Sequence, residues 1–340
     1  MSLYREISQP VRIGLVGTGF AAKVRAQSIQ AESRTQLVAV ASSSPERAQE
    51  FATEFNIRAA QNWEELLQMS DVDLVMICNA NHDHGQIAKA AIESVRHVIV
   101  EYPLSLDPQE AQEIIFMAAN RQLFLHVEHI ELLGSLHQTM REWLDKIGTP
   151  QYARYATITP QAEAPRKWSY HRQQFGFPLV AALSRLHRFT DLFGTIDRVN
   201  CHENYWGTDD QDYFKTVLCN AQLTFANGLF AEISYGKGEN LWEAARKFEV
   251  HGSQGAMIFD GNQGTLIVGT EKMSIELGSR TGMFAQDLTY ALDNFLDGKP
   301  NYIKPSASLY SLRIANACKA AAANQATVLL PPNLRGDDIS

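Results

Sequence analysis

Two arginines three positions apart, Arg185 and Arg188, flank a segment in which Leu183, Leu186 and Phe189 mark a buried helical stripe. One turn apart, they share a helix face, and guanidinium groups stay charged at physiological pH and grip carboxylates through a two-pronged fork. Such a pair suits an acidic ligand; the plainer alternative is a surface ion pair between Arg188 and Asp191. Three more stretches carry chemistry. In VEYPLSL, Glu101, Tyr102 and Pro103 close a strand-like run, and the tyrosine could donate a hydrogen bond or a proton. In HVEHIE, His126 and Glu128 would face one side of a strand while His129 and Glu131 belong to the bend after it. One of these is expected to reach the cleft, and an imidazole titrating near 6.5 is a natural proton source. In RKWSYHR, Arg166, Lys167, His171 and Arg172 interleave with Trp168 and Tyr170, which in an acidic chain reads as a ligand-facing loop rather than a nucleic-acid surface.

A nucleotide site is the sharpest expectation. GTGFAA places Gly17, Thr18, Gly19, Phe20 and Ala22 between a strand and a helix in the G-x-G-x-x-A form, where glycines permit a tight turn and a pyrophosphate sits on the helix N-terminus. An NAD site usually ends its second strand on an acid that binds the ribose. ASSSPER offers Ser42, Ser43, Ser44 and Arg47 instead, with no carboxylate expected to repel a 2′-phosphate, so NADPH is the preferred cofactor and NADH the alternative. Ser44 also reads as the cap of a helix that starts at Pro45. The loop NANHDHG, with Asn79, Asn81 and His84, lies at a strand's carboxyl end and should cover the cofactor; its two histidines lack a third spaced ligand, so no metal is expected.

The elements behind these residues change character along the 340-residue chain. From Val11 to about Val127 short apolar runs (VRIGLV, QLVAVA, DLVMIC, HVIV, LFLHV) alternate with helical patterns, as in a parallel sheet covered by helices. After Tyr152, runs of alternating polarity follow one another directly, and Asn227-Gly228 marks a hairpin, so this half reads as antiparallel. Helices are expected from Pro178 to Phe193 and over SASLYSLRIANACKAAAA. The fold class is therefore α/β, with a dinucleotide-binding domain over residues 1–128 and a substrate domain with a large, mainly antiparallel sheet over 129–340. A net charge of −8 argues against nucleic acid or anionic membrane as general partners. The four cysteines are scattered without a CxxC, and neither a signal peptide nor a long apolar run occurs, so a cytoplasmic protein is expected, with monomer as the state carried forward.

By G-x-G-x-x-A, Asn81-x-x-His84 and Glu101-x-Pro103 the chain resembles, over nearly its whole length, the glucose–fructose oxidoreductase and inositol dehydrogenase family. The resemblance implies a Rossmann domain joined to an antiparallel α/β domain. In sugar-oxidising members a lysine stands between the Glu and the Pro, and an aspartate and a histidine on a helix of the second domain relay a proton. Here Tyr102 replaces the lysine, and Ser184 and Arg188 fall where the other two would be. Alcohol oxidation needs a base, which arginine does not supply.

These departures, together with LHVEHIELLG, WSYHRQQFGFPLVAALSR and RFTDLFG, are similar to the biliverdin-reducing branch of the family, its cyanobacterial type above all. What that implies is NAD(P)H-dependent reduction of biliverdin IXα to bilirubin, with hydride delivered to the central methine carbon and a proton to a pyrrole nitrogen. Arg185, Arg188, His126, His129, Trp168, Tyr170 and Arg172 would then hold the bilin, while Arg185, Tyr102, His129 and Glu101 would carry the chemistry. By resemblance Arg185 is the essential residue, and its pKa, above about 12, suits it to placing charge or orienting water rather than to giving up a proton. Two alternatives stand beside this: a family enzyme acting on a sugar, inositol or dihydrodiol, and a non-catalytic NADP(H)-sensing module.

Overall fold

The computed structural model describes residues 4–5, 7, 9–331 and 334, which form two compact units. The first holds a six-stranded sheet of β1 (Val11–Val16), β2 (Thr35–Ala41), β3 (Arg58–Ala59), β4 (Leu74–Ile77), β5 (His97–Val100) and β6 (Leu125–Val127), all parallel, in the order β3-β2-β1-β4-β5-β6. Its helices are α1 (Phe20–Ala31), α2 (Pro45–Phe55), α3 (Trp63–Gln68), α4 (His84–Glu93) and α5 (Pro108–Asn120). The central strands are apolar apart from Arg12 in β1 and His97 in β5, because a parallel sheet is covered on both faces. Ser44 caps α2 by accepting from the Arg47 amide, and Asp107 caps α5 by accepting from Gln109; proline follows each cap. The strand order reverses between β1 and β4, and ligands of such sheets bind outside the carboxyl ends of the strands at that reversal.

The second unit contains α6 (Ser135–Trp143), β7 (Pro150–Pro160), α7 (Arg172–Phe175), α8 (Pro178–Ala181), α9 (Leu183–Phe193), β8 (Ile196–Trp206), β9 (Thr216–Phe225), β10 (Phe230–Gly238), β11 (Ala245–Gly252), β12 (Gly255–Asp260), β13 (Gln263–Val268) and β14 (Glu271–Glu276). With β15 (Val328–Leu329) the strands form a nine-stranded sheet in the order β14-β13-β12-β11-β7-β10-β9-β8-β15. The sheet is mainly antiparallel, as expected, with one parallel pair, β7 and β10: the helices and strands between them let the chain return in the same direction, which a hairpin forbids. One expectation changes here. The helix expected from Pro178 to Phe193 breaks at Ala182 (φ −104°, ψ 36°), which puts Arg185 in the first turn of α9. The Asn227-Gly228 hairpin is present, with positive φ at Gly228 (87°) but not at Asn227. Register sets a row of side chains on one face: Tyr235 of β10 lies opposite Thr157 of β7, which lies opposite Arg246 of β11; in another row Ile233, Tyr155 and Phe248 align. α9 covers this face, Phe189 meeting Phe248 at 5.1 Å between ring centroids.

The expected division at 128/129 is too simple. The first unit runs to Ile130 and takes back Gly282–Leu309, which includes α10 (Met283–Asp297), before the chain re-enters the second at Tyr310 within α11 (Pro305–Asn324). Leu288, Ala291, Leu292 and Phe295 form an apolar stripe that needs cover. They find it in the core made by Ala22, Ala26 and Ile29 of α1, with Ile13 and Phe124.

Candidate functional site

The nucleotide-binding loop has the shape its glycines require. Gly17 has φ +118°, and a Cβ there would stand 2.5 Å from the Cys78 carbonyl oxygen at the end of β4, so only glycine fits. At Gly19 a Cβ would meet nothing within 4 Å, and no side chain caps the N-terminus of α1. Open space before uncapped amides fits a pyrophosphate. Beside it the Thr18 and Ser42 hydroxyls are 3.2 Å apart, and Phe20 stands 80% exposed. The ribose end is not free of carboxylate as expected: Glu46, in the first turn of α2, accepts a 2.7 Å hydrogen bond from Ser44 Oγ, while Ser43 and Arg47 are exposed. Ser44 is engaged by both the helix cap and this acid.

His84 does not stand free to touch a ligand. It is buried, with Nδ1 2.8 Å from the Pro103 carbonyl and Nε2 3.3 Å from that of Asn79, and burial lowers its pKa. It ties the loop after β4 to the Glu101-Tyr102-Pro103 segment after β5. Asn79 donates to Asp83 at 3.1 Å, and Asn81 is buried at the loop's next turn.

Below this lies a charge network that local sequence patterning does not disclose. Arg25, fully buried on α1, donates through Nε to Glu101 at 2.8 Å and through Nη1 to Asp287 of α10 at 2.5 Å. Burial would raise the Asp287 pKa, but Arg25 and His126 outweigh it and hold the carboxyl well below the usual range. His126 is buried, with Nε2 2.8 Å from Asp287 and Nδ1 3.1 Å from the Asn301 side-chain amide, so both ring nitrogens serve the network rather than a bilin. Burial, then the neighbouring Glu101, push the Glu128 pKa well up. Tyr102 stacks on His129 (5.2 Å, 12°), whose Nε2 lies 2.8 Å from Ser308 Oγ and whose amide donates to Tyr302 Oη at 2.9 Å. His129 is therefore a buried brace under Tyr102.

In the second unit the two arginines part company. Arg188 is buried and donates to Glu131 at 2.5 Å; the alternative partner Asp191 instead accepts from His137 at 2.7 Å. Arg185 is half-buried, 5.6 Å from the Tyr235 ring centroid, with Nη1 donating to Ser184 Oγ at 3.1 Å. Between them lies Tyr155, whose buried phenol would titrate high but is drawn below its ordinary value by Arg188, Arg185 and Arg246. Of the aromatic–basic loop, Trp168 is exposed. Tyr170 is buried against Phe214, and Arg172 lies over Tyr205 at 4.6 Å, so these two pack against strand ends.

Residues 11–129 match the model of an oxidoreductase family with an NAD-binding Rossmann fold, and residues 141–330 match the C-terminal alpha/beta domain of the same family. The chain belongs to this oxidoreductase family. Within the family it is similar to biliverdin reductase from Synechocystis sp. PCC 6803, solved in complex with biliverdin and NADP+: 46% identity, TM-score 0.90, covering 92% of this chain and 99% of that one. It also matches mouse biliverdin reductase A (32% identical, 40% of this chain, 43% of the relative) and UDP-N-acetylglucosamine 3-dehydrogenase of Acidithiobacillus ferrooxidans (33%, 44% and 46%). The chain thus spans less than half the length of these two curated relatives.

Lys237, unnoticed in the sequence, is the other unusual cation. Its Nζ donates to the Ser169 carbonyl and lies 3.5 Å from the Phe175 ring centroid and 4.5 Å from that of Tyr170. Burial, then Lys167 and Arg185, push its pKa down to about 7. Because the unfolded value is near 10.4, the unfolded chain binds more protons between about pH 7 and 10, and stability attributable to this residue rises with pH there. Denaturant titrations should show the wild type gaining on the order of 1 kcal/mol relative to Lys237→Met between about pH 7 and 9. Parallel pH profiles would show that the aromatic cage keeps the ammonium at its ordinary pKa.

Proposed function

We propose that the protein reduces biliverdin IXα to bilirubin, with NADPH as preferred hydride source and NADH as the alternative. The single observation that carries this is the 46% identity, over 92% of the chain, to a biliverdin reductase whose complex contains biliverdin and NADP+. Bound NADPH supplies the hydride, which goes to the central methine carbon, while a proton goes to a pyrrole nitrogen. The open turn at Gly19 and the uncapped end of α1 suit the pyrophosphate, and Thr18 and Ser42 suit the ribose side. Tyr102 is positioned by His129 and by the His84 tie to Pro103, and Glu101 is held by Arg25.

In the second unit Arg185 places a fixed charge near the bilin or orients the water that delivers the proton. Tyr102 and Arg188, where sugar-oxidising relatives carry a lysine and a histidine, weigh against alcohol oxidation. The four free thiols suit the reducing cytoplasm, and no helix among the described residues is long and apolar enough to cross a membrane. Purified protein mixed with biliverdin and NADPH should bleach the long-wavelength bilin band and produce the bilirubin band. Absence of bleaching with either nucleotide between about pH 5 and 9, the range over which an imidazole or a perturbed carboxyl changes charge, rejects the assignment.

A further inference from the structure

Two hydrogen-bonded arms leave the Asp287 carboxylate and end on adjacent residues of the segment after β5. Through Oδ2 it holds Arg25 Nη1, and Arg25 Nε holds Glu101. Through Oδ1 it accepts from Tyr302 Oη at 2.6 Å; Oη in turn accepts the His129 amide at 2.9 Å, and the His129 ring stacks on Tyr102. The joint of this second arm is a single hydroxyl, 173 positions beyond His129 in the chain. The corner that carries it, between α10 and α11, is itself braced. The Tyr302 amide donates to Asn301 Oδ1 at 2.8 Å, Asn301 Nδ2 lies 3.1 Å from His126 Nδ1, and the Tyr302 ring stands edge-on to His126 with centroids 5.7 Å apart. Burial, then the charge of Asp287, push the phenol pKa well up, so Oη keeps its proton for the carboxylate. His129 is gripped at its amide by Tyr302 and at Nε2 by Ser308, 2.8 Å away, and its ring lies within 12° of parallel to that of Tyr102. In a close-packed stack, displacing one ring displaces the other.

We propose that Tyr302 is a positioning residue for the reduction: its hydroxyl ties the His129 brace to the Asp287–Arg25–Glu101 arm and so sets the Tyr102 ring relative to the Glu101 carboxylate. The inference rests on the reading of Glu101 and Tyr102 as parts of a reductase site. It assigns a role to a residue far from both in sequence, which touches neither of them and acts through His129 and Asp287. Holding reacting groups in register is where such a tie has its effect, since a misplacement of about 1 Å costs up to about 10²-fold in rate.

Tyr302→Phe removes the hydroxyl and keeps the ring. With biliverdin and NADPH it should lower kcat about tenfold and change KM for biliverdin less than about twofold. A double-mutant cycle separates positioning from mere support. In a Tyr102→Ala background, where the ring to be positioned is gone, Tyr302→Phe should alter kcat less than about twofold, while it lowers the urea midpoint in both backgrounds alike. A tenfold loss in both backgrounds, or in neither, overturns the inference. Fluorotyrosine labelling adds a readout that needs no turnover. The fluorine NMR signal of Tyr102, assigned by its absence in Tyr102→Phe, should move in Tyr302→Phe and in Ser308→Ala, which frees His129 at its other point. Ser308→Ala carries the test should the tyrosine variant not fold, and a Tyr102 signal that moves in neither overturns the tie. A wild type that bleaches no biliverdin rejects the reductase reading, and the role of Tyr302 in it, while the fluorine shift still decides whether the tie holds Tyr102.

Discussion

Asp287→Ala should destabilise the protein by about 3–5 kcal/mol, the cost of leaving a buried charge without its partner. Asp287 is fully buried and accepts from three groups: Arg25 at 2.5 Å, His126 at 2.8 Å and Tyr302 at 2.6 Å. The variant leaves Arg25, itself 0% exposed, with Glu101 as its remaining ion-pair partner among the described residues, beside the Phe284 carbonyl. Against a total stability of about 5–15 kcal/mol this is a large fraction, read directly as a lower urea midpoint. The pH dependence has a definite sign. The folded Asp287 carboxyl sits below its unfolded value near 3.9, so its contribution is complete above that value and is lost as pH falls through the depressed folded one. The wild type should therefore lose stability in acid more steeply than Asp287→Ala, and the two curves should converge there. An unchanged midpoint at neutral pH would show that the network is held by something other than this carboxylate. Asp287→Asn, which keeps the shape, should cost less than alanine yet show the same missing acid limb.

The network also shows where sequence patterning stops. The parallel sheet, the glycine turn and the capped starts of α2 and α5 are local signals: apolar runs, φ-permissive glycines, Ser or Asp before proline. They were legible because each is written within a few residues. Arg25 was not, although it sits three residues beyond Ala22, since nothing near it shows that α10 will return from residue 283 with a carboxylate for it. The cysteines make the same point. Scattered in sequence, Cys201 and Cys219 come to 3.5 Å between sulfurs because the β8–β9 register sets them on a diagonal.

Side-chain roles were legible only in part for a related reason. The pattern at 182–191 correctly marks an apolar stripe and two cations beside it, but it cannot say that Arg188 will be buried against Glu131 while Arg185 stays half open. That distinction depends on a partner 57 residues away in sequence. In HVEHIE the strand alternation is right for His126 and Glu128, yet both face a buried network, while Glu131, three residues on, lines an open pocket. Three histidines expected at the site, His84 for the cofactor, His126 for the bilin and His129 for the bilin and the chemistry, also make structural contacts: His84 bonds the Pro103 carbonyl, His129 stacks on Tyr102, and His126 bonds Asp287.

Arg185→Ala should lower kcat/KM for biliverdin by about 10³-fold, at the upper end of what removal of one preorganised donor costs in a dry site. The fold should survive, because Arg185 is half-buried, and its contacts with the Ser184 hydroxyl at 3.1 Å and the Tyr235 ring at 5.6 Å are each worth only about 1 kcal/mol. Its place in the first turn of α9, after the break at Ala182, adds the helix's positive end to its own charge. A guanidinium does not release its proton near neutrality, so the effect must come from charge and orientation. Two variants separate these. Arg185→Lys keeps the charge and should retain all but about tenfold of the rate, whereas Arg185→Gln keeps a donor without charge and should fall nearly as far as alanine. Neither change should move the acid limb of the pH–rate profile, since a guanidinium does not titrate in that range. A profile that shifts with residue 185, or an alanine variant within about threefold of the wild type when differences of this kind are normally far larger, would remove Arg185 from the chemistry and return it to a structural part.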